Sequence, residues 1–188
     1  MEEDQVIIAA VKEDDWMMSI LAAAKTLDLP DWWICAGFLR SKMWDRLHGY
    51  DQRTPLADID LIYFDAGKVL EVDEKRYEAM LAEIMPDVPW SVKNQARMHK
   101  RNHIAPYRSS VDAISKFPET ATAIGIQLNS ENELVLAAPC ETGDLMNLQI
   151  KPTPHFIQHE ELFHIYELRI AEKGWQQTWP QLCVFSSA

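Results

Sequence analysis

The stretch Ala57-Asp58-Ile59-Asp60-Leu61-Ile62-Tyr63-Phe64 sets two acids at the start of a hydrophobic run. Its aromatic and β-branched residues suit a strand. Side chains alternate along a strand, so Asp58 and Asp60 share one face, roughly 6–7 Å apart at a rise of ~3.3 Å per residue. Ile59, Leu61 and Tyr63 then point the other way, into a core. Two carboxylates side by side repel each other and resist desolvation. A hard divalent cation, Mg²⁺ or Mn²⁺, relieves both penalties, because it takes carboxylate oxygens together with the phosphates of a bound nucleotide. Such a pair also suits a solvated strand start, with the acids as turn formers. The residues around it separate the two readings.

Upstream, Trp32-Trp33-Ile34-Cys35-Ala36 is a short apolar run between Pro30-Asp31 and Gly37, the pattern of a buried strand. Phe38 to His48 has helical apolar spacing at 39, 43, 44 and 47, and Gly49 follows as a stop. A strand running into a helix at Gly37 aims backbone N–H groups and the positive helix end at whatever lies beyond. Gly37 has no side chain to keep an anion away. Arg40, one turn in, offers a planar fork for phosphate. A phosphate cradle followed by a strand bearing two acids is a layout for phosphoryl or nucleotidyl transfer.

The remaining elements alternate between the two periods. Two helices are expected over Gln5–Leu27, the second capped near Asp14, and an amphipathic helix over Glu71–Met85. Strands are expected at Trp90–Gln95, Ala123–Leu128, Leu134–Ala138 and Leu145–Ile150. A basic loop with Pro106 should follow Gln95, then a short helix over Val111–Phe117. A final helix should run from Phe156 to Lys173, broken by Gly174. These make one α+β unit, a mixed β-sheet flanked by helices. The expected division of residues 1–188 is N-terminal helices at 1–30, a core with the Gly turn and the acid pair at 31–100, and additional strands with the C-terminal helix at 101–188.

With 188 residues, 47% of them hydrophobic, and seven Trp, the chain can build a substantial core. Its N-terminus is acidic, unlike a signal peptide, and no apolar run approaches the ~20 residues of a membrane span. Cys35, Cys140 and Cys183 are odd in number and far apart, which favours a reducing, cytoplasmic setting over a disulfide framework. The net charge of −11 disfavours bulk nucleic-acid binding, which rests on neutralising phosphates with cations. Between Pro89 and Val111, however, there is no acid, while Lys93, Arg97, Lys100, Arg101 and Arg108 lie there with His99 and His103. That strip is either an anion-binding surface or one half of a set of internal ion pairs. His155, His159 and His164 do not form an HExxH string and fit a metal site poorly. Trp175 and Trp179 fit clamping of the C-terminal helix better than base stacking.

Several longer strings carry a resemblance over nearly the whole chain. They are 32–40, Trp44-Asp45-Arg46-Leu47-His48-Gly49-Tyr50, 56–65, 90–99, Phe117-Pro118-Glu119-Thr120-Ala121-Thr122-Ala123, Lys173-Gly174-Trp175 and Trp179-Pro180-Gln181-Leu182. Together they resemble a bacterial nucleotidyltransferase family, once a domain of unknown function, within the superfamily of the polymerase-β fold. The resemblance implies Gly37 and Phe38 in the phosphate-binding turn, and Asp58 and Asp60 as catalytic metal ligands. It implies transfer of a nucleoside monophosphate from a nucleoside triphosphate to an unknown acceptor, with pyrophosphate expelled and Mg²⁺ as cofactor. Lys93 and Arg97 would then face the outer phosphates. Three departures stand out, one being that the stretch from Phe38 to Asp58 is longer than the usual spacing. Phe38 replaces the Gly or Ser usual after the first Gly. The strand from Trp90 lacks the third acid that normally activates the acceptor, leaving Asn94 or Lys93 there, and neither is a competent base. Another residue fills the role, metal alone does, or the fold is a catalytically silent nucleotide-binding module.

Overall fold

The computed structural model describes residues 2–102 and 104–185. Helices α1 (Glu2–Lys12) and α2 (Asp15–Lys25) lead into strand β1 (Trp33–Cys35), helix α3 (Gly37–Leu47) and strand β2 (Ile59–Tyr63). Helix α4 (Glu71–Ile84), strand β3 (Trp90–Asn94), helix α5 (Gln95–Asn102) and the short helix α6 (Ser110–Ile114) follow. Next come β4 (Gly125–Leu128), β5 (Leu134–Ala137), α7 (Gly143–Met146), β6 (Gln149–Ile150), α8 (Pro154–Ile157), α9 (Glu160–Lys173) and β7 (Cys183–Val184).

Five strands form a mixed sheet in the order β3-β2-β1-β4-β5, with β2 and β3 parallel and the other neighbours antiparallel. β6 and β7 make a separate parallel pair. The alternation expected of residues 57–64 holds in the sheet. Ile59, Leu61 and Tyr63 join Ile34, Val92 and Ile126 in the main core, against Ile7, Ile20, Leu21, Phe38, Met43 and Trp44 from α1, α2 and α3. Asp60 is paired with Cys35 on one side and Ser91 on the other, so these three share the opposite face. There Trp33, Cys35 and Ile62 pack with Ile114, Ala123 and Ala137 in a smaller cluster.

Three elements differ from the expectation drawn from sequence. The basic segment after Gln95 begins as helix α5 rather than loop. No Gly or Pro interrupts 95–102, and Asn94 Oδ1 accepts the Ala96 N–H at 3.0 Å, holding the first turn. The region 145–150 is not one strand: α7 ends at Met146, and Leu148, at φ +56°, turns the chain into the two residues of β6. Their partner β7 arrives more than thirty residues later, out of reach of any local pattern. The C-terminal helix is two. Pro154 opens α8 at a helix start, and extended His159 separates it from α9.

A carboxylate cluster links α2, α3 and the loop before β2. Asp14 caps α2 by accepting the Met17 N–H at 3.1 Å, and it is paired with Lys42 and Arg53, both at 2.7 Å. Burial pushes its pKa up, but hydrogen bonds from Arg53 and Lys42 outweigh that and hold it at about 2. Asp45, buried on α3, accepts from Thr54 Oγ1 at 2.6 Å, the Thr54 N–H at 2.8 Å and Trp179 Nε1 at 2.8 Å. One side chain thus fixes the loop before β2 and the C-terminal tail to α3.

A carboxylate depressed in the folded state contributes stability above its unfolded value near 3.8, and that stability is lost as pH falls through about 2. Asp14→Asn keeps the capping oxygen and removes the charge. Chemical denaturation should therefore show the variant ~1–2 kcal/mol less stable at pH 7, with the difference shrinking below pH 4 and vanishing only below about pH 2. A difference that does not change with pH would mean that the ion pairs contribute nothing.

Candidate active site

Asp58 and Asp60 lie at the wall of a cavity of about 350 Å³ that runs from the N-terminus of α3 to the C-terminal helix. Asp58 is exposed just ahead of β2, while Asp60 is mostly covered within it. Burial pushes the Asp60 carboxyl up to about 6, and the charge of Asp58 adds to it. A hydrogen bond from Ser91, then Arg169 and Arg40, pull part of that shift back. The pair therefore carries negative charge that the protein only partly neutralises.

Gly37 and Ala36 line the same cavity. The backbone conformation that needs a glycine is at Ala36, not Gly37: Ala36 has φ +55° and ψ −117° and is the cap residue of α3. A Cβ on Gly37 would meet only ordinary contacts, at 3.5 Å from Arg40 Nη2 and 4.0 Å from Leu56. The strain at Ala36 persists because its N–H donates to Ile124 and its carbonyl accepts from Arg40 N, both at 3.1 Å. The Phe38 side chain is buried in the core beside Trp16, with ring centroids 6.1 Å apart, so only its backbone can serve the turn.

Arg40 is brought to the acids. It is 9% exposed and lies 4.3 Å from the ring of Trp175 and 5.1 Å from that of Trp44. Its Nε has no hydrogen-bond partner among the described residues. Burial lowers the guanidinium to about 10, which leaves it charged at neutral pH. A buried, charged, incompletely bonded guanidinium on a cavity wall is suited to an anion.

The basic strip divides. Arg97 is not brought to the acid pair: it forks onto buried Glu74 at 2.6 and 2.5 Å, with Glu71 at 3.7 Å. Lys93 is 3.3 Å from Glu78 and 3.9 Å from Glu74, and it lines a second cavity that also reaches Asp60. Acids one turn apart on α4 thus meet cations on β3 and α5, so part of the strip is internal pairing. His103 and the side chain of Arg101 lie outside the described residues. Asn94 is buried on the far face, accepting and donating within the backbone after β2, and is not near the acids. The β3 residue beside Asp60 is Ser91.

Three residues of the site went unnoticed in the sequence. Arg169 lines both cavities, and Lys173, one turn on, lines the first. Arg169 Nε donates to Glu119 at 2.6 Å, and fully buried Glu119 also accepts from Thr122 Oγ1 at 2.7 Å. Cations four residues apart on a helix ordinarily mark a solvated face, so only the packing of α9 reveals them. Trp175 and Trp179 are buried against Trp44, at 5.5 and 5.1 Å between centroids, and clamp the tail as expected. Among the described residues no group of three or more His, Cys, Asp or Glu could hold a metal ion. The rings of His155 and His159 lie 5.5 Å apart, with no third ligand among the described residues. No helix among the described residues is long and apolar enough to cross a membrane.

Residues 22–184 match a family model described as a nucleotidyltransferase. The chain belongs to that nucleotidyltransferase family. A solved structure described as revealing a CCA-adding enzyme head domain is 37% identical, covers 97% of this chain and 96% of its own, and has a TM-score of 0.87. The fold is therefore the polymerase-β-like nucleotidyltransferase fold. A CCA-adding enzyme solved in complex with CTP shares that fold at 12% identity and a TM-score of 0.57, covering 97% of this chain but 43% of that one. No curated protein matches the chain in sequence.

Two substitutions test the family site without a ligand. Ala36→Gly should stabilise the protein by ~1 kcal/mol, since it removes a Cβ from a left-handed position, offset in part by a freer unfolded chain. Destabilisation on thermal unfolding would show that the conformation is not strained. Asp60 is raised in the folded state, so its ionisation costs nothing below the unfolded value near 3.8 and costs stability as pH rises through about 6. In metal-free buffer Asp60→Asn should match wild type at pH 4 and exceed it by about 2 kcal/mol at pH 8. An equal advantage at both pH values would contradict the buried-charge account.

Proposed function

We propose that this nucleotidyltransferase transfers a nucleoside monophosphate from a nucleoside triphosphate to a hydroxyl-bearing acceptor, with Mg²⁺ or Mn²⁺ held by Asp58 and Asp60. One observation carries the reading. The two acids share a cavity with the N-terminal backbone of α3, buried Arg40, and Arg169 and Lys173 from α9. Anionic and cationic walls facing each other suit a metal-bound polyphosphate and little else of that size.

The donor set fits such an ion. Both ligands are hard oxygens, Asp60 bears charge that its surroundings leave uncompensated, and a triphosphate supplies further oxygens. When bound, the ion would neutralise charge on the phosphates and on the reacting oxygens. The chain's own groups hold the substrate. The N–H groups at Gly37 and Phe38 and the guanidinium of Arg40 bind phosphate oxygens, and Lys173 and Arg169 balance the charge of the departing pyrophosphate. The acceptor oxygen bonds to the α-phosphorus, the bond to the bridging oxygen breaks, and pyrophosphate leaves with the electron pair. The acceptor's proton passes to water.

A nucleotide-binding module without turnover is the alternative, favoured by the presence of Ser91 and Lys93, and no acid, on the described strand beside Asp60. A thermal-shift series with the four ribonucleoside triphosphates, with and without Mg²⁺ or Mn²⁺, tests both. CTP is first in the panel because a structural relative was solved with it. Stabilisation should require nucleotide and metal together and vanish in Asp60→Asn. At 100 times the dissociation constant it should reach ~2.7 kcal/mol. No shift with any pair would overturn the nucleotide site. A shift without pyrophosphate release on addition of candidate alcohols would favour the silent module.

A further inference from the structure

A second cavity, of about 700 Å³, lies on the Asp60 face of the sheet and shares only Asp60 and Arg169 with the cavity at Gly37. Its size is that of a small-molecule pocket. The two cavities differ in character. The first combines backbone N–H groups, Arg40, Lys173 and both acids. The second is walled by Met98, Phe117, Phe156 and Leu162, with Lys93 and Lys116 among them. Lys116 lies 5.1 Å from the ring of Tyr107 and 3.0 Å from Asp112, which holds its ammonium in place at the wall.

Displacement at phosphorus places the entering and leaving oxygens roughly in line, on opposite sides of the reacting atom. A transferase therefore needs two subsites that meet at its metal-binding carboxylates. Here two cavities of opposite character meet at Asp60, with Arg169 as the wall between them. Glu119 fixes that wall, because it is fully buried and engages Arg169 through Nε, while a third of the arginine side chain remains exposed.

Building on the nucleotidyltransferase reading above, we infer that the second cavity is the acceptor site, and that it takes a small molecule with a hydroxyl, an apolar or aromatic body and an anionic group. The apolar wall suits a ring or aliphatic body. Lys93, Lys116 and Arg169 line that cavity, each steadied by a carboxylate (Glu78, Asp112 and Glu119), and their remaining N–H donors would meet the anion. A polynucleotide acceptor is opposed by the net charge of −11.

Methyl NMR on the full chain tests this, with 4-hydroxyphenylacetate as the probe and 4-hydroxyphenylacetamide as its uncharged counterpart. The probe should shift the methyls of Ile62, Met98, Leu162 and Ile165, and CTP or ATP with Mg²⁺ should instead shift those of Ala36, Leu56 and Ala57. Both should bind together. The amide should bind at least fivefold more weakly than the acid, and Lys116→Met should remove that preference. Leu162→Trp, which fills the cavity, should abolish the probe shifts while the nucleotide shifts persist. Nucleotide that displaces the probe and moves the Met98 and Leu162 methyls would make this cavity the nucleoside site, overturning the acceptor assignment while leaving the nucleotidyltransferase reading intact. Absence of probe shifts at millimolar concentration, with nucleotide still binding, would overturn it equally. Probe binding without any nucleotide binding would remove the reading beneath it, and the acceptor role with it.

Discussion

The register of β2 between β1 and β3 is the constraint from which the site follows. In a strand, a slip by one residue exchanges the two faces. Ile59, Leu61 and Tyr63 are bound to the helix-covered core by the free energy of burying them, about 2 kcal/mol for each large side chain. That outweighs the cost of holding Asp60 partly desolvated on the other face. The carboxylate is thus placed where it is by its apolar neighbours. Cys35 and Ser91 flank it across the strands on either side.

A partly buried carboxylate with a second acid two residues away is a standing electrostatic cost, and the rest of the site is arranged around it. Three cations come from two helices: Arg40 from α3, and Arg169 and Lys173 from α9. None of them closes on the acids as a simple ion pair. Arg40 is held over Trp175 and Trp44, and Arg169 is turned toward Glu119. The charges oppose one another across a cavity and remain available to a ligand that carries both signs, as a metal-bound polyphosphate does. The Asp45 side chain secures this arrangement from behind, because it joins α3, the loop before β2 and Trp179.

The same logic accounts for the basic strip. Lys93 and Arg97 lie two and six residues beyond Ser91, yet only Lys93 reaches a cavity beside Asp60. Arg97 belongs to α5, which turns it onto Glu74 and Glu71 of α4. The charge pattern alone could not distinguish an anion site from internal pairing, because the acids that answer it are about twenty residues away in sequence. Ser91 in place of an acid is likewise visible as a residue, but its position beside Asp60 is set by the parallel pairing of β2 and β3.

Local chemistry determined much of the fold. Period-two alternation at 57–64, the apolar run at 32–36 and the cap at Asp14 are signals within a few residues, and the structure keeps them. The polymerase-β-like family was legible through long strings spread along the chain, and Asp58, Asp60, Gly37 and Arg40 line one cavity. Tertiary structure decided the rest. It put the strained backbone at Ala36 instead of Gly37, split the C-terminal helix at His159, paired β6 with a strand at the far end of the chain, and brought Arg169 and Glu119 to the centre of the site. Except for the break at His159, each depends on contacts between residues tens of positions apart. A helix residue's exposure, and hence whether its charge is solvated or faces a ligand, is set by what packs against it and not by its neighbours in sequence.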